Sequence, residues 1–167
     1  APAVNFATGA FPIGIDSKDL DGDGKSDLVV TNQSDNSISI LRNTSTVGSI
    51  TATSFAAKVD LATGLDPYSV SIGDLNDNGK PDVVVANFSS GSLSVFDNIS
   101  NSGSIDFLTK VDFTSGAGPL DVKLSDIDGD GKPDAVVSNG GSRISILKNL
   151  NSSAPIAIGS LSFPIDF

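Results

Sequence analysis

The chain has 167 residues, a net charge of −10 and 38% hydrophobic side chains, enough for a packed core, and no apolar run long enough to span a bilayer. It contains no Cys, His, Met, Trp or Glu, so all 20 acidic side chains are Asp. The usual zinc and iron ligand sets, a thiol nucleophile, a Ser-His-Asp triad and a Glu general acid are therefore missing, and the acidic balance argues against a nucleic-acid partner.

From the N-terminus, the triplet Val4-Asn5-Phe6 comes first, and it returns as Val59-Asp60-Leu61, Val111-Asp112-Phe113 and Ile165-Asp166-Phe167. Gly9 and Pro12 follow, then the acidic segment DLDGDGKSD from Asp19 to Asp27. An apolar run ending on Asn32 comes next, then ISIL, Asn43 and a Gly-Ser-apolar step at Gly48. The same succession recurs with acidic segments DLNDNGKPD (Asp74 to Asp82) and DIDGDGKPD (Asp126 to Asp134), whose starts lie 55 and 52 residues after the preceding one. The matching positions are Gly64, Pro67, Asn87, Asn98 and Gly103, then Gly116, Pro119, Asn139, Asn149 and Gly159. Register held over some fifty residues marks three tandem copies of one unit. We place them at about 7–61, 62–113 and 114–167 within a single repeat array, with residues 1–6 equivalent to the last strand.

Each unit reads as four short strands. In the middle unit the alternation of Ser69-Val70-Ser71-Ile72 predicts the first, entering the acidic loop, as do Val122 and Leu124 in the last unit. Val83-Val84-Val85 predicts a second strand buried on both faces. Leu93 and Val95 alternate around Ser94 and predict a third, and Phe107 to Phe113 predicts a fourth, with Val111 and Phe113 on one face. Ser89-Ser90-Gly91-Ser92 is turn chemistry between the second and third strands, and the Gly-x-x-Pro elements read as turn punctuation. No segment has a helical period. Four antiparallel strands at this spacing indicate an all-β array of three β-propeller blades.

The acidic loops carry the chemistry. Oxygen-bearing side chains fall at relative positions 1, 3, 5 and 9, with Gly at 6 to permit a sharp bend. Alternate positions of a curled loop converge on one centre, which suits a hard cation wanting six to eight oxygens. The candidate ligands are Asp19, Asp21, Asp23 and Asp27 in loop one, Asp74, Asn76, Asn78 and Asp82 in loop two, and Asp126, Asp128, Asp130 and Asp134 in loop three. Lys25, Lys80 and Lys132 at position 7 would offer backbone carbonyls, with their side chains toward solvent. An EF-hand needs a bidentate Glu at position 12, where this chain has Val30, Val85 and Val137. Ten of the twenty Asp residues are assigned as ligands, and three bound Ca²⁺ would move the net charge from −10 to −4. Because affinity rises with ligand charge, loop two is expected to be the weakest of the three sites.

The pattern P-x-x-[VIL]-x-x-x-D-[LI]-[DN]-x-[DN]-G-K-x-D-x-V-V-x-N resembles the FG-GAP/VCBS repeat of integrin-α-like propellers and bacterial surface proteins, over essentially the whole chain. The resemblance implies blades with the calcium loop between the first two strands, on one rim of the ring, and nothing catalytic. Loop two departs from the pattern by its two Asn residues. Three blades leave two open edges, so the array reads as a segment of a longer repeat chain or as half of a six-bladed ring formed by two copies, the segment being favoured.

The functional expectation is a non-enzymatic, calcium-stabilised extracellular or cell-surface module for adhesion or surface assembly, whose partner is an unidentified extracellular protein or glycan. The alternative is a carbohydrate-binding propeller, for which Tyr68 is the one tyrosine platform; an accessory domain of a secreted enzyme ranks below both. Asp66 and Asp121, outside the loops, read as turn caps, and the Asn-x-Ser/Thr sequons starting at Asn32, Asn43, Asn87, Asn98 and Asn151 read as turn-forming Asn.

Overall fold

A computed structural model describes residues 3–152 and 155–167. It is all-β, with no helix among the described residues. Twelve strands form three four-stranded antiparallel sheets, each taking its strands in chain order. The first sheet comprises β1 (Pro12–Lys18), β2 (Asp27–Asn32), β3 (Ser37–Leu41) and β4 (Val59–Ala62). The second comprises β5 (Pro67–Gly73), β6 (Asp82–Asn87), β7 (Ser92–Phe96) and β8 (Val111–Thr114). The third comprises β9 (Pro119–Ser125), β10 (Asp134–Asn139), β11 (Arg143–Leu147) and β12 (Ile165–Asp166).

These are propeller-type blades. Each first strand opens at its proline, which lacks an N–H and so is tolerated at a strand start, and each slips one residue in register just beyond it. Neighbouring blades pack through their first strands. Ile72 N donates to Asp16 Oδ2 at 3.0 Å, and Val122 N and Leu124 N donate to Ser69 Oγ and Ser71 Oγ, both at 3.3 Å. Every residue of β6 is buried, as its continuous apolar run requires, because sheets cover it on both sides. The apolar core is accordingly two clusters, one at each seam between blades.

The fourth strand is shorter than its hydrophobic pattern predicts. In the middle unit, Phe107 bridges to Asn98 but Val111 pairs with Val95, four residues on one side against three on the other. That extra residue is a β-bulge, and it recurs between Phe55 and Val59 and between Leu161 and Ile165. The Gly-Ser step carries a turn in every unit, but in the first unit, where Ser49 N–H closes on Thr46 O, a second turn leads into the fourth strand. In the first unit the Ser54 N–H closes on Thr51 O, past Gly48, whereas in the last Ser160 closes on Ala157 around Gly159. Val4-Asn5-Phe6 forms no strand; Phe6 instead meets Phe55 edge-on at 4.8 Å. The equivalent segments elsewhere pair with the third strand that precedes them in the chain. Ala1 and Pro2, the rest of that expected strand, lie outside the described residues.

Both outer faces of the array are open. Ile15 of β1 is 63% exposed, although its counterparts Val70 and Val122 are buried against the preceding blade. Ile127 is 52% exposed, whereas its counterparts Leu20 and Leu75 are 1% and 4% exposed because the following blade covers them.

Candidate metal centre

All three acidic loops connect the first strand of a blade to its second, so they share one rim, together with the long connections between third and fourth strands. The Gly-x-x-Pro elements and the turns between second and third strands occupy the other rim.

Within each loop the backbone wraps around the first carboxylate. In loop one, Asp19 Oδ1 accepts the Gly22 and Asp23 N–H groups at 2.8 and 3.1 Å, and Asp19 Oδ2 accepts Gly24 N–H at 2.7 Å. Asp74 accepts Asn78 and Gly79, and Asp126 accepts Gly129 and Gly131, in the same way. The sixth-position glycines hold φ between 80° and 87°, a conformation that only glycine adopts cheaply. The ninth-position Asp is a buried clamp. Asp27 takes Leu20 N–H on Oδ2 and Asn43 N–H on Oδ1; Asp82 takes Leu75 and Asn98; Asp134 takes Ile127 and Asn149. It thus ties the start of the loop to the exit of the third strand.

Burial raises the carboxyl pKa at two of these clamps. Desolvation pushes the Asp82 carboxyl up to about 7, helped by the charges of Asp97 and Asp74, while the Asn98 and Leu75 N–H groups oppose it. Asp27 is raised for the same first cause. On the exposed face of loop three, Asp130 lies below the ordinary carboxylate range because the Lys132 N–H and the Lys148 ammonium stabilise its charge.

The carboxylate oxygens of Asp19, Asp21 and Asp27 lie within 4.8 Å of one another, as do those of Asp126, Asp128 and Asp130. Each group can hold a metal ion. Asp23 and Asp134 stand outside these groups, and loop two makes none among the described residues, its third and fifth positions being Asn. Loop two shows a different sign of a ligand. Asn76 is 4% exposed, and its Oδ1 has no hydrogen-bond partner in the protein, a costly state for a buried carbonyl oxygen. Lys25 Nζ lies 3.6 Å from Asp23 Oδ2, with its side chain exposed.

Each seam closes over a loop. Asn98, at the end of β7, donates from one Nδ2 to Pro81 O of its own loop at 2.8 Å and to Leu20 O of loop one at 2.9 Å. Asn149 repeats this, reaching Pro133 O at 3.2 Å and Leu75 O of loop two at 2.9 Å. Asn43 reaches only Ser26 O of its own loop. Clefts of about 300 and 210 Å³ remain at the two seams, beside Asp19 and Asp21 in one and Asp74 and Asn76 in the other.

Residues 19–85 and 74–137 each match the model of the FG-GAP-like repeat, together spanning more than half of the chain. The chain belongs to the FG-GAP-like repeat family. Comparison with curated proteins gives no match.

Each FG-GAP unit also carries a polar ladder. Asn32 Nδ2 donates to Ser39 Oγ at 2.9 Å, and Ser39 Oγ donates to Asp60 Oδ1 at 2.7 Å; Asn87, Ser94 and Asp112 repeat the chain, as do Asn139, Ser145 and Asp166. Gly9 and Gly64 pass directly over the amides of Asn32 and Asn87, where a Cβ would lie 2.7 and 2.8 Å from the amide carbon. These glycines are there for close approach, not merely for a turn. Asp121 likewise is no turn cap, since it lies in β9 and accepts the Ser69 hydroxyl across the seam. Tyr68 is engaged in packing: its ring lies 5.1 Å from Phe88 and its hydroxyl takes Gln33 Nε2–H at 3.3 Å.

Proposed function

We propose that this chain is a non-catalytic, calcium-stabilised repeat module of an extracellular or cell-surface protein, serving adhesion or surface assembly. The observation that carries the calcium reading is the pair of Asp groups whose oxygens converge within 4.8 Å. FG-GAP repeats often bind calcium, and they are generally extracellular. The donor sets fit a hard cation: only carboxylates, amide oxygens and backbone carbonyls line the loops, with no nitrogen or sulfur ligand. The orphaned, buried Asn76 Oδ1 supports the same reading for loop two. Asp19, Asp21, Asp23 and Asp27, their counterparts in loops two and three, and the carbonyls of Lys25, Lys80 and Lys132 would hold the ions.

In the absence of an ion, the clustered carboxylates repel at short range, so calcium would stabilise the folded array by binding it and not the unfolded chain. Loops one and two sit at the seams, so stabilisation there bears on blade-to-blade packing. The exposed Ile15 and Ile127 support continuation of the array by further blades or by a second copy. The glycan-binding alternative has less support, because Tyr68 is committed to Phe88 and Gln33. The deciding experiment is thermal unfolding in calcium and in excess chelator. The melting temperature should fall in chelator and recover when calcium is restored; an unchanged melt would refute the calcium reading. A glycan array with and without calcium separates the adhesive reading from the carbohydrate-binding one.

A further inference from the structure

One position changes its charge in step with the loop it faces. The residue that follows the third strand lies opposite the third position of its own loop in all three units. In the first unit it is Arg42, 3.9 Å from Asp21 Oδ2. In the third it is Lys148, which is ion-paired to Asp128 and lies 3.2 Å from Asp130. In the second it is Asp97, whose Oδ1 accepts Asn76 Nδ2–H at 3.0 Å. At their ligand positions, loops one and three therefore have four carboxylates less one facing cation, and loop two has two carboxylates plus one facing anion. Counted over the ligand positions and the facing residue, each sum leaves three negative charges, with the position-7 lysines common to all; loop two carries one further carboxylate, the exposed Asp77, where the other loops have glycine.

The next blade treats Asp97 as it treats Asp21. Gly103 N, from the connection of the second blade, donates to Asp21 Oδ2 at 2.9 Å. Ile156 N, from the connection of the third, donates at 3.0 Å to Asp97 Oδ2 and not to the loop-two third position. Asp97 is buried at 4% exposure, and it fixes the Asn76 amide with its nitrogen toward Asp97, leaving Oδ1 unpartnered.

We propose that Asp97, which lies outside the loop, supplies the middle site with the negative charge that Asn76 and Asn78 do not, and orients Asn76 Oδ1 as the ligand, so that this site binds calcium as tightly as its neighbours. Asp97 is a positioning residue here, and the inference rests on the calcium reading above.

The test uses the amide signals of Gly24, Gly79 and Gly131, one per loop, followed by NMR during calcium titration of the whole chain. In the wild type the Gly79 transition should coincide with the other two; a Gly79 midpoint well above both would overturn the proposal. In Asp97→Asn the Gly79 midpoint should rise by at least about tenfold, the effect of losing one charge near a divalent ion even under full water screening, with Gly24 and Gly131 unmoved. A Gly79 midpoint that stays put, or three midpoints that move together, would overturn it. The double variant Asn76→Asp/Asp97→Asn transposes the charge and should return Gly79 to its wild-type midpoint, even if the single variant folds poorly. Failure of that rescue would assign Asp97 to structure alone. If no glycine signal responds to calcium in the wild type, the calcium reading itself fails, which is a distinct result.

Discussion

The seam stitches make a sharp prediction, because equivalent Asn residues have unequal tasks. Asn98→Ala removes the donors to the buried Leu20 O and the part-buried Pro81 O, and the acceptor of the Ser100 N–H. A hydrogen bond to a buried group contributes about 1 kcal/mol net, and an orphaned partner costs about 1–3 kcal/mol, so the loss should be about 3 kcal/mol. Asn43→Ala removes one exposed bond to Ser26 O and the acceptor of Ser45 N–H, with no partner in another blade. Its cost should be about 1 kcal/mol. With a urea m-value of about 2 kcal/mol/M, equilibrium unfolding in saturating calcium should shift its midpoint by about 1.5 M for Asn98→Ala and about 0.5 M for Asn43→Ala. Asn149→Ala should behave like Asn98→Ala, since it too spans a seam. Equal losses at positions 43 and 98 would refute the idea that these side chains hold blades together.

Two further outcomes follow from the loop and the ladder. Folded Asp82 keeps its proton up to about pH 7, against 3.8 for an ordinary Asp, so between those values the folded chain binds more protons than the unfolded one. Metal-free stability should therefore fall as pH rises from about 4 to about 7 and level off above, and calcium affinity at Gly79 should drop about tenfold per pH unit below 7. Urea midpoints at pH 5 and 7.5 in chelator check the sign, and Asp82→Asn should reduce the fall to what the likewise raised Asp27 contributes; stability that rises over this window contradicts the reasoning. Gly64→Ala places a Cβ 2.8 Å from Asn87 Cγ and 2.9 Å from Ser90 Oγ, and should cost about 1–3 kcal/mol in the same assay; a neutral result would mean the crossing relaxes freely.

Much of the architecture is legible in the sequence because the repeat prints it three times. The acidic loops, the buried second strand and the four-strand count all rest on local spacing or alternation, and the structure has them there. What is not legible is pairwise. Arg42, Asp97 and Lys148 look like unrelated surface residues until the third strand brings each against its loop. The stitch from Asn98 to Leu20 spans 78 residues and leaves no local trace. The ladder shows in the sequence only as separate repeat marks, Asn32, Ser39 and Asp60, whose connection depends on strands lying side by side. The bulge before the fourth strand is hidden for a related reason: Phe107 to Phe113 continues an apolar pattern through residues whose pairing slips by one. Ile127 has the same residue character as Leu20 and Leu75, and only the absence of a neighbouring sheet makes it exposed.

The stitching has a direction, and synthesis runs the other way. Leu20 O is closed by Asn98 and Asp21 by Gly103, so the first acidic loop is finished by residues made some eighty positions later. A ribosome delivers the loop long before it delivers the lock. The first blade must wait, with its apolar seam uncovered, until the second has emerged and folded against it, and each later blade repeats the wait. Growth of such an array is vectorial: every new repeat both completes its predecessor and presents an uncompleted edge of its own.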